Sequence, residues 1–337
     1  MSKIKWGIIG CGNVTEVKSG PAFNKAPSSE LLAVMRRNAD KAEDYARRHG
    51  VPRWYSDADQ LIGDPDVNAI YIATPPAYHE QYALAALAAG KPVYVEKPAA
   101  LSAASAVKMN EAASRAGVPL TVAHYRRGLA VFKRIKELLS AGAIGDIRFI
   151  RMELFQPLQS DMIAQTEENW RVDPAISGGG LFHDLAPHQL DLMVWFFGYP
   201  RHVSGLAMNQ AGAYQADDIV SGEAVFKDNI LFKGLWCFSV PPEESKDVCE
   251  IIGSDGKITF SVFGNYYILS RKGKDERVEF ELPAHIQQPM IEEVVKYFRG
   301  EGANPCTGQD GVTVMDLIDA FTAKGAKPPF CFIATAT

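Results

Sequence analysis

The chain has 337 residues, 47% hydrophobic and 22% charged, with a formal net charge of −5. That length is long for one hydrophobic core, so two domains are expected, in a composition typical of soluble globular proteins. A mildly acidic chain lacks the basic footprint of a nucleic-acid or anionic-membrane binder, and no apolar run approaches the roughly 20 residues of a membrane span.

The first apolar run, "IKWGIIG", meets a Gly-rich turn too soon for a signal peptide. The five cysteines (Cys11, Cys237, Cys249, Cys306 and Cys331) are odd in number, widely spaced and without a C-x-x-C pair. They read as free or buried thiols in a reducing compartment, and a cytoplasmic location is expected.

The first third alternates short apolar runs ("IKWGIIG", "LLAVMRR", "AIYIAT", "PVYVEK", "PLTVAHY") with helical patterns ("NADKAEDYARRHG", "HEQYALAALAAG", "SAASAVKMNEAASRAG"). Glycines close those helical patterns, as helix C-caps do. Such alternation predicts an α/β fold, a doubly wound parallel sheet over residues 1–122. The rest, 123–337, opens on a helical stretch, "GLAVFKRIKELLSAG", and continues as long alternating runs from "DIRFIRMELFQ" to "RVEFEL". "KDN" and "SDG" sit between runs as hairpin turns. The expectation is a second α/β domain on a large, mostly antiparallel sheet, with helices at 185–197 and near 286–299. The ending "KPPFCFIATAT" fits no element.

"GIIGCGNVT" places Gly10 and Gly12 after the first strand, with Asn13 and Val14 opening the next segment. Glycines there let the backbone approach a dinucleotide pyrophosphate. The third position of the G-x-G-x-x-G/A pattern is Thr15, so the motif is imperfect; its place in a strand–turn–helix unit strengthens it. The second strand ends in Met35, Arg36, Arg37 and Asn38, without the acid that grips a ribose 2′-OH in NAD-binding folds. Arginines there suit a 2′-phosphate, so NADP is favoured, with NAD the alternative. Two further loops lie at strand carboxyl ends, where such sheets bind ligands. One holds Thr74, Pro75 and His79, the other Glu96, Lys97 and Pro98. His79 reads equally as a residue beside the cofactor and as a helix-entry residue without chemical role.

"GIIGCGNV", "ATPPAYH", "VEKPAAL", "NWRVDPAISGGG" and "DLAPHQLDL" together resemble the Gfo/Idh/MocA oxidoreductases, in order, from residue 4 to about 325. The resemblance implies a Rossmann domain and a C-terminal α/β domain whose open sheet face forms the subunit contact, in a homodimer or homotetramer. It implies hydride transfer between a nicotinamide cofactor and a carbinol carbon of a sugar, polyol or related small molecule. Carried over residue by residue, it makes Lys97, Asp184 and His188 the catalytic centre, Trp170 and Arg171 cofactor-lining, and Lys97–Pro98 a candidate cis peptide.

The chemistry agrees. Oxidising a carbinol needs a group of tunable pKa near the hydroxyl, and histidine and lysine both serve. Asp184 and His188, four residues apart, share one helix face, with Asp184 expected to orient the His188 ring. Pro187 then requires the helix to be just beginning. Gly178, Gly179 and Gly180 leave room for backbone to approach the cofactor. A metal on His183, Asp184 and His188 is disfavoured, since no further ligand cluster exists. Asp191 either touches substrate or caps a neighbouring element. In "HYRRG", one of Arg126 and Arg127 reaching a ligand and a charged linker are equal readings. Two other functions share these features: reduction of a non-sugar substrate of dihydrodiol or tetrapyrrole type, and a non-catalytic ligand sensor. The sensor predicts loss of the catalytic groups, which are all present.

Overall fold

The structure is a computed structural model that describes residues 3–160, 162 and 169–323. Six strands, β1 (Ile4–Ile9), β2 (Ser29–Met35), β3 (Arg53–Tyr55), β4 (Ala69–Ile72), β5 (Val93–Val95) and β6 (Leu120–Val122), pair in the order β3-β2-β1-β4-β5-β6. Every pairing is parallel. Helices cover both faces, so the strands are near-continuous apolar runs, and β4 is buried at each of its four positions. The glycine caps form as expected, Gly50 and Gly117 ending their helices at φ 64° and 65°. Edge strand β3 is an addition: three residues carry neither alternation nor an apolar run.

The second sheet has eight strands: β7 (Ile147–Phe155), β8 (His202–Met208), β9 (Ile219–Val225), β10 (Leu231–Cys237), β11 (Lys246–Gly253), β12 (Lys257–Phe260), β13 (Tyr266–Arg271) and β14 (Lys274–Glu279). Their order is β14-β13-β12-β11-β7-β10-β9-β8, antiparallel except for β7 beside β10. In the "KDN" turn, Asp228 and Asn229 take left-handed backbone at φ 58° and 61°, a conformation these side chains tolerate. β14 starts earlier than "RVEFEL". Lys272 and Gly273, at φ 51° and 72°, make a two-residue turn that pairs Arg271 with Lys274 and sets the register.

Helix Gly308–Thr322 lies against one face of this sheet, and helix Leu181–Phe197 meets the same face through Phe182 and Gln189 on Trp236. The other face leaves Phe149, Leu206, Met208 and Leu231 exposed. Helix Gln288–Phe298 falls where expected. Helix Gly308–Thr322 was not anticipated; it packs on helix Ala103–Ala116 as well as on the second sheet, so it lacks a single apolar stripe. Its Thr307–Asp310 capping box was the legible signal. Both halves share one continuous buried cluster. No helix among the described residues is long and apolar enough to cross a membrane. Cys11, Cys237, Cys249 and Cys306 are free thiols, and Cys331 with the rest of the unassigned ending lies outside the described residues.

Candidate active site

Gly10 turns the chain at φ +95°, and a Cβ there would meet the Thr74 backbone nitrogen at 2.8 Å. The glycine loop is therefore pressed against the loop after β4. Gly12 precedes a helix of only five residues, Asn13–Val17. Thr15 replaces the fingerprint's third glycine without a clash. It is buried, donates its hydroxyl to the Gly12 carbonyl at 2.7 Å, and its own carbonyl accepts from the Tyr45 hydroxyl at 2.8 Å. The close packing moves to Gly20, whose Cβ would meet both the Thr15 carbonyl and the Tyr45 hydroxyl at 2.2 Å.

At the end of β2, Arg36 Nη1 approaches the Cys11 carbonyl at 3.4 Å, over the glycine loop. Arg37 lies across the Tyr78 ring, its Cζ 4.9 Å from the centroid. Pro75 caps the turn Pro76–Tyr78, and the Thr74 hydroxyl is buried without a partner among the described residues. His79 is fully buried, its Nδ1 2.9 Å from the Pro98 carbonyl and its Nε2 2.8 Å from the Thr74 carbonyl. Burial lowers its pKa, and a neutral ring has one N–H, so it braces the two loops through one donated bond at a time. Glu96 also points inward. Its carboxylate accepts from the Tyr71 hydroxyl (2.6 Å), Gln287 Nε2 (2.7 Å) and the Lys97 backbone N–H (3.1 Å). Tyr71 and Gln287 were not identified from the sequence, because neither belongs to a motif.

The Lys97–Pro98 peptide is cis. Lys97 Nζ donates to Asp184 Oδ1 at 2.6 Å and to the Asp184 carbonyl at 2.7 Å. Asp184 Oδ2 accepts from Arg171 Nε at 3.1 Å, and the Arg171 guanidinium lies 4.4 Å from the centroid of Trp170. Burial would raise the Asp184 pKa, but Lys97 and Arg171 outweigh it and hold the carboxyl below its ordinary value.

His188 is buried, and neither ring nitrogen has a hydrogen-bond partner among the described residues. Asp184 therefore holds Lys97 rather than the His188 ring, contrary to expectation. Burial, then the Lys97 and Arg126 charges, push His188 well below the usual histidine value and keep it neutral.

The helix carrying both residues starts at Leu181, one turn earlier than expected, so Pro187 lies inside it. The missing Pro187 N–H leaves the His183 carbonyl without its helical partner. The triple glycine also serves a different end. A Cβ on Gly179 would meet the His183 ring at 2.1 Å and one on Gly180 the Ala216 side chain at 2.4 Å, so the space they free is filled by the protein itself.

Asp191 is buried and accepts from Arg127 Nη2 at 2.7 Å, which makes it an internal counter-ion. Among the described residues no three His, Cys, Asp or Glu side chains are grouped to hold a metal ion.

Residues 4–124 match the model of an oxidoreductase family with an NAD-binding Rossmann fold, and residues 132–259 match the GFO/IDH/MocA C-terminal domain. A curated oxidoreductase of Formosa agariphila is 47% identical over 95% of this chain and 98% of its own. The 1,5-anhydro-D-fructose reductase of Ensifer adhaerens is 26% identical over 91% of this chain and 92% of its own. Levoglucosan dehydrogenase, solved with NADH and levoglucosan, superposes with a TM-score of 0.82 at 22% identity, over 95% of this chain and 96% of that one. At that identity the likeness concerns the fold.

Sheet order, glycine turn and sequence matches define an NAD-binding oxidoreductase, a dehydrogenase or reductase of CH–OH groups. The chain belongs to the Gfo/Idh/MocA family.

Proposed function

We propose that the enzyme is an NADP-preferring dehydrogenase or reductase that transfers hydride to or from a carbinol or carbonyl carbon of a sugar, polyol or related small molecule. The observation that carries the reading is the Lys97–Asp184 ion pair at 2.6 Å beside a buried, unpartnered His188.

The residues present fit a dinucleotide. Gly10 and Gly12 form a loop without side-chain bulk at its tightest point, Asn13 and Val14 open the short helix after it, and the Thr74 hydroxyl, without a partner among the described residues, lies beside it. Pro75 and His79 stiffen the loop after β4, while Glu96 fixes the backbone from which Lys97 projects. Arg36 over the glycine loop, with Arg37 at the end of the same strand, supports the reading of a 2′-phosphate, and Trp170 with Arg171 borders the Asp184 carboxylate. When bound, the nicotinamide supplies or accepts the hydride.

Lys97, held by Asp184, donates a hydrogen bond to the substrate oxygen and polarises it. In oxidation the hydroxyl proton passes to neutral His188; in reduction it returns along the same route. Asp184 positions Lys97 and balances its charge. The exposed apolar face of the second sheet supports a homodimer or homotetramer, and residues 1–122 and 123–337 serve as nucleotide and substrate domains. Free thiols support a cytoplasmic location.

Titration of the purified protein with NADPH and NADH by fluorescence, followed by assay against sugars, polyols and ketoses, tests the reading. Tighter NADPH binding with turnover supports it; binding of neither nucleotide rejects it.

A further inference from the structure

Arg126 is 6% exposed, yet none of its guanidinium nitrogens has a hydrogen-bond or ion-pair partner among the described residues, and its Nε is fully buried. Three other cations of the site, Lys97, Arg171 and Arg127, are matched. Lys97 and Arg171 share Asp184, and Arg127 has Asp191 at 2.7 Å and Asp310 at 3.3 Å. A buried cation without a counter-ion is costly, and burial of this kind is retained where something else supplies the charge.

The guanidinium is held flat. Its Cζ lies 4.4 Å from the Phe263 ring centroid and 5.3 Å from that of Tyr125. Both rings also contact His188, with centroids 5.6 Å and 5.1 Å away. Arg126 is thus fixed beside the reacting centre by stacking, which leaves the edge of its fork for a ligand. Asp247 is the carboxylate that feels it, but makes no ion pair with it. Its Oδ2 accepts from the Ser261 hydroxyl and, at 2.7 Å, from the Phe263 N–H, while burial raises its pKa. Lys97, Arg126 and Lys18 all place positive potential on His188.

We propose that Arg126 binds a carboxylate of the substrate, so that the enzyme acts on a sugar acid or related hydroxy acid in preference to the neutral sugar. This inference rests on the dehydrogenase reading above and narrows its substrate class. Arg126 determines specificity; it moves no proton. A planar carboxylate matches its fork with two parallel hydrogen bonds, and completes an ion pair that the described residues leave open.

The test uses the intact enzyme with NADPH for the carbonyl substrates (uronates and aldoses) and with NADP+ for the hydroxyl substrates (aldonates and alditols). Uronates and aldonates are paired with their neutral sugars and alditols, for example glucuronate with glucose and gluconate with sorbitol. Binding is read by nucleotide fluorescence and turnover by nucleotide absorbance. We expect at least one acid to bind, with kcat/KM 100-fold or more above its neutral partner. Arg126→Met should lower kcat/KM on the acid by a further 100-fold or more, chiefly through KM, and at least tenfold more than on the neutral partner. Arg126→Lys, which keeps charge but not the fork, should recover part of the loss and guards against a misfolded Met variant; unchanged NADPH affinity shows that each variant is folded.

Turnover of neutral sugars without acid preference overturns the proposal and leaves the dehydrogenase standing, as does equal loss on both partners. Failure of every acid to bind the complex with the nucleotide that its reaction needs also overturns it. Binding of neither nucleotide instead removes the dehydrogenase reading itself.

Discussion

Lys97 Nζ and Asp184 Oδ1 stand 2.6 Å apart, and Arg171 takes the other Asp184 oxygen at 3.1 Å, so one carboxylate joins the E-K-P loop to the turn before the triple glycine. If Lys97 polarises the substrate oxygen, Lys97→Met should lower kcat by about 10²–10⁴-fold, the scale of one positioned proton-handling group. NADPH affinity should stay within a few-fold of the wild type. Asp184→Asn keeps the shape but not the charge and should also depress kcat. Wild-type rates in both variants would remove these residues from the catalytic centre.

The neutral state of His188 gives a pH prediction. Its folded pKa lies well below the ordinary 6.5, so the ring remains a proton acceptor as pH falls through that value. The acidic limb of kcat/KM for oxidation should therefore fall below pH 6.5. A limb centred at 6.5 or above would contradict the buried, cation-flanked site.

Arg36 governs cofactor choice in the proposed reading. Arg36→Asp exchanges a 2′-phosphate partner for a ribose 2′-OH partner. The ratio of kcat/KM with NADP to that with NAD should drop at least tenfold. Unchanged selectivity would mean that another group reads the phosphate.

His183 carries an acid-side stability effect. Burial lowers its pKa to about 4, against an ordinary 6.5, despite the Gly179 backbone contact. Below pH 6.5 the unfolded chain binds this proton more readily than the folded one. The stability associated with the neutral ring is complete above 6.5 and is lost as pH falls to about 4. A shift of this size corresponds to roughly 3 kcal/mol. His183→Phe should flatten the pH dependence of chemical denaturation between those values; an unaltered slope would assign it to other groups.

The Arg127–Asp191 pair is internal to the fold, with side chains 5% and 1% exposed. Asp191→Ala leaves a buried guanidinium with Asp310 as its one carboxylate partner among the described residues, and should cost about 3–5 kcal/mol by urea denaturation. A loss under 1 kcal/mol would show that Asp310 compensates.

Most of the architecture was legible because it rests on local periodicity: glycine-capped helices between apolar runs, then alternating strands. Edge strand β3 was too short to carry a period, and helix Gly308–Thr322 has neighbours on too many sides to show one. Lys97, Asp184 and His188 were legible through motifs, yet their wiring was not. Four-residue spacing puts Asp184 and His188 on one face, but says nothing of a cation arriving from residue 97. Arg126, Phe263 and Asp247 come from three distant segments and form a cluster only after folding. Their signal in the sequence was a single unmotivated Arg-Arg step.

Helix Gly308–Thr322 and the residues just before it constrain how this protein could be divided or recombined. Ala103 N–H donates to Asp319 at 2.8 Å, the Thr121 hydroxyl to Asn304 at 3.0 Å, and Val122 N–H to the Cys306 carbonyl at 3.1 Å. The same helix presses Phe321 onto Gly205 and Gly222 of the second sheet. The nucleotide half is thus finished by chain that arrives only after the other sheet has been made. A ribosome releasing residues 1–122 delivers an unfinished half, and a gene fusion cut after β6 would strip its flank. Grafting this half onto another partner requires the segment around 304–322 to travel with it, so recombination must move two distant stretches of coding sequence together.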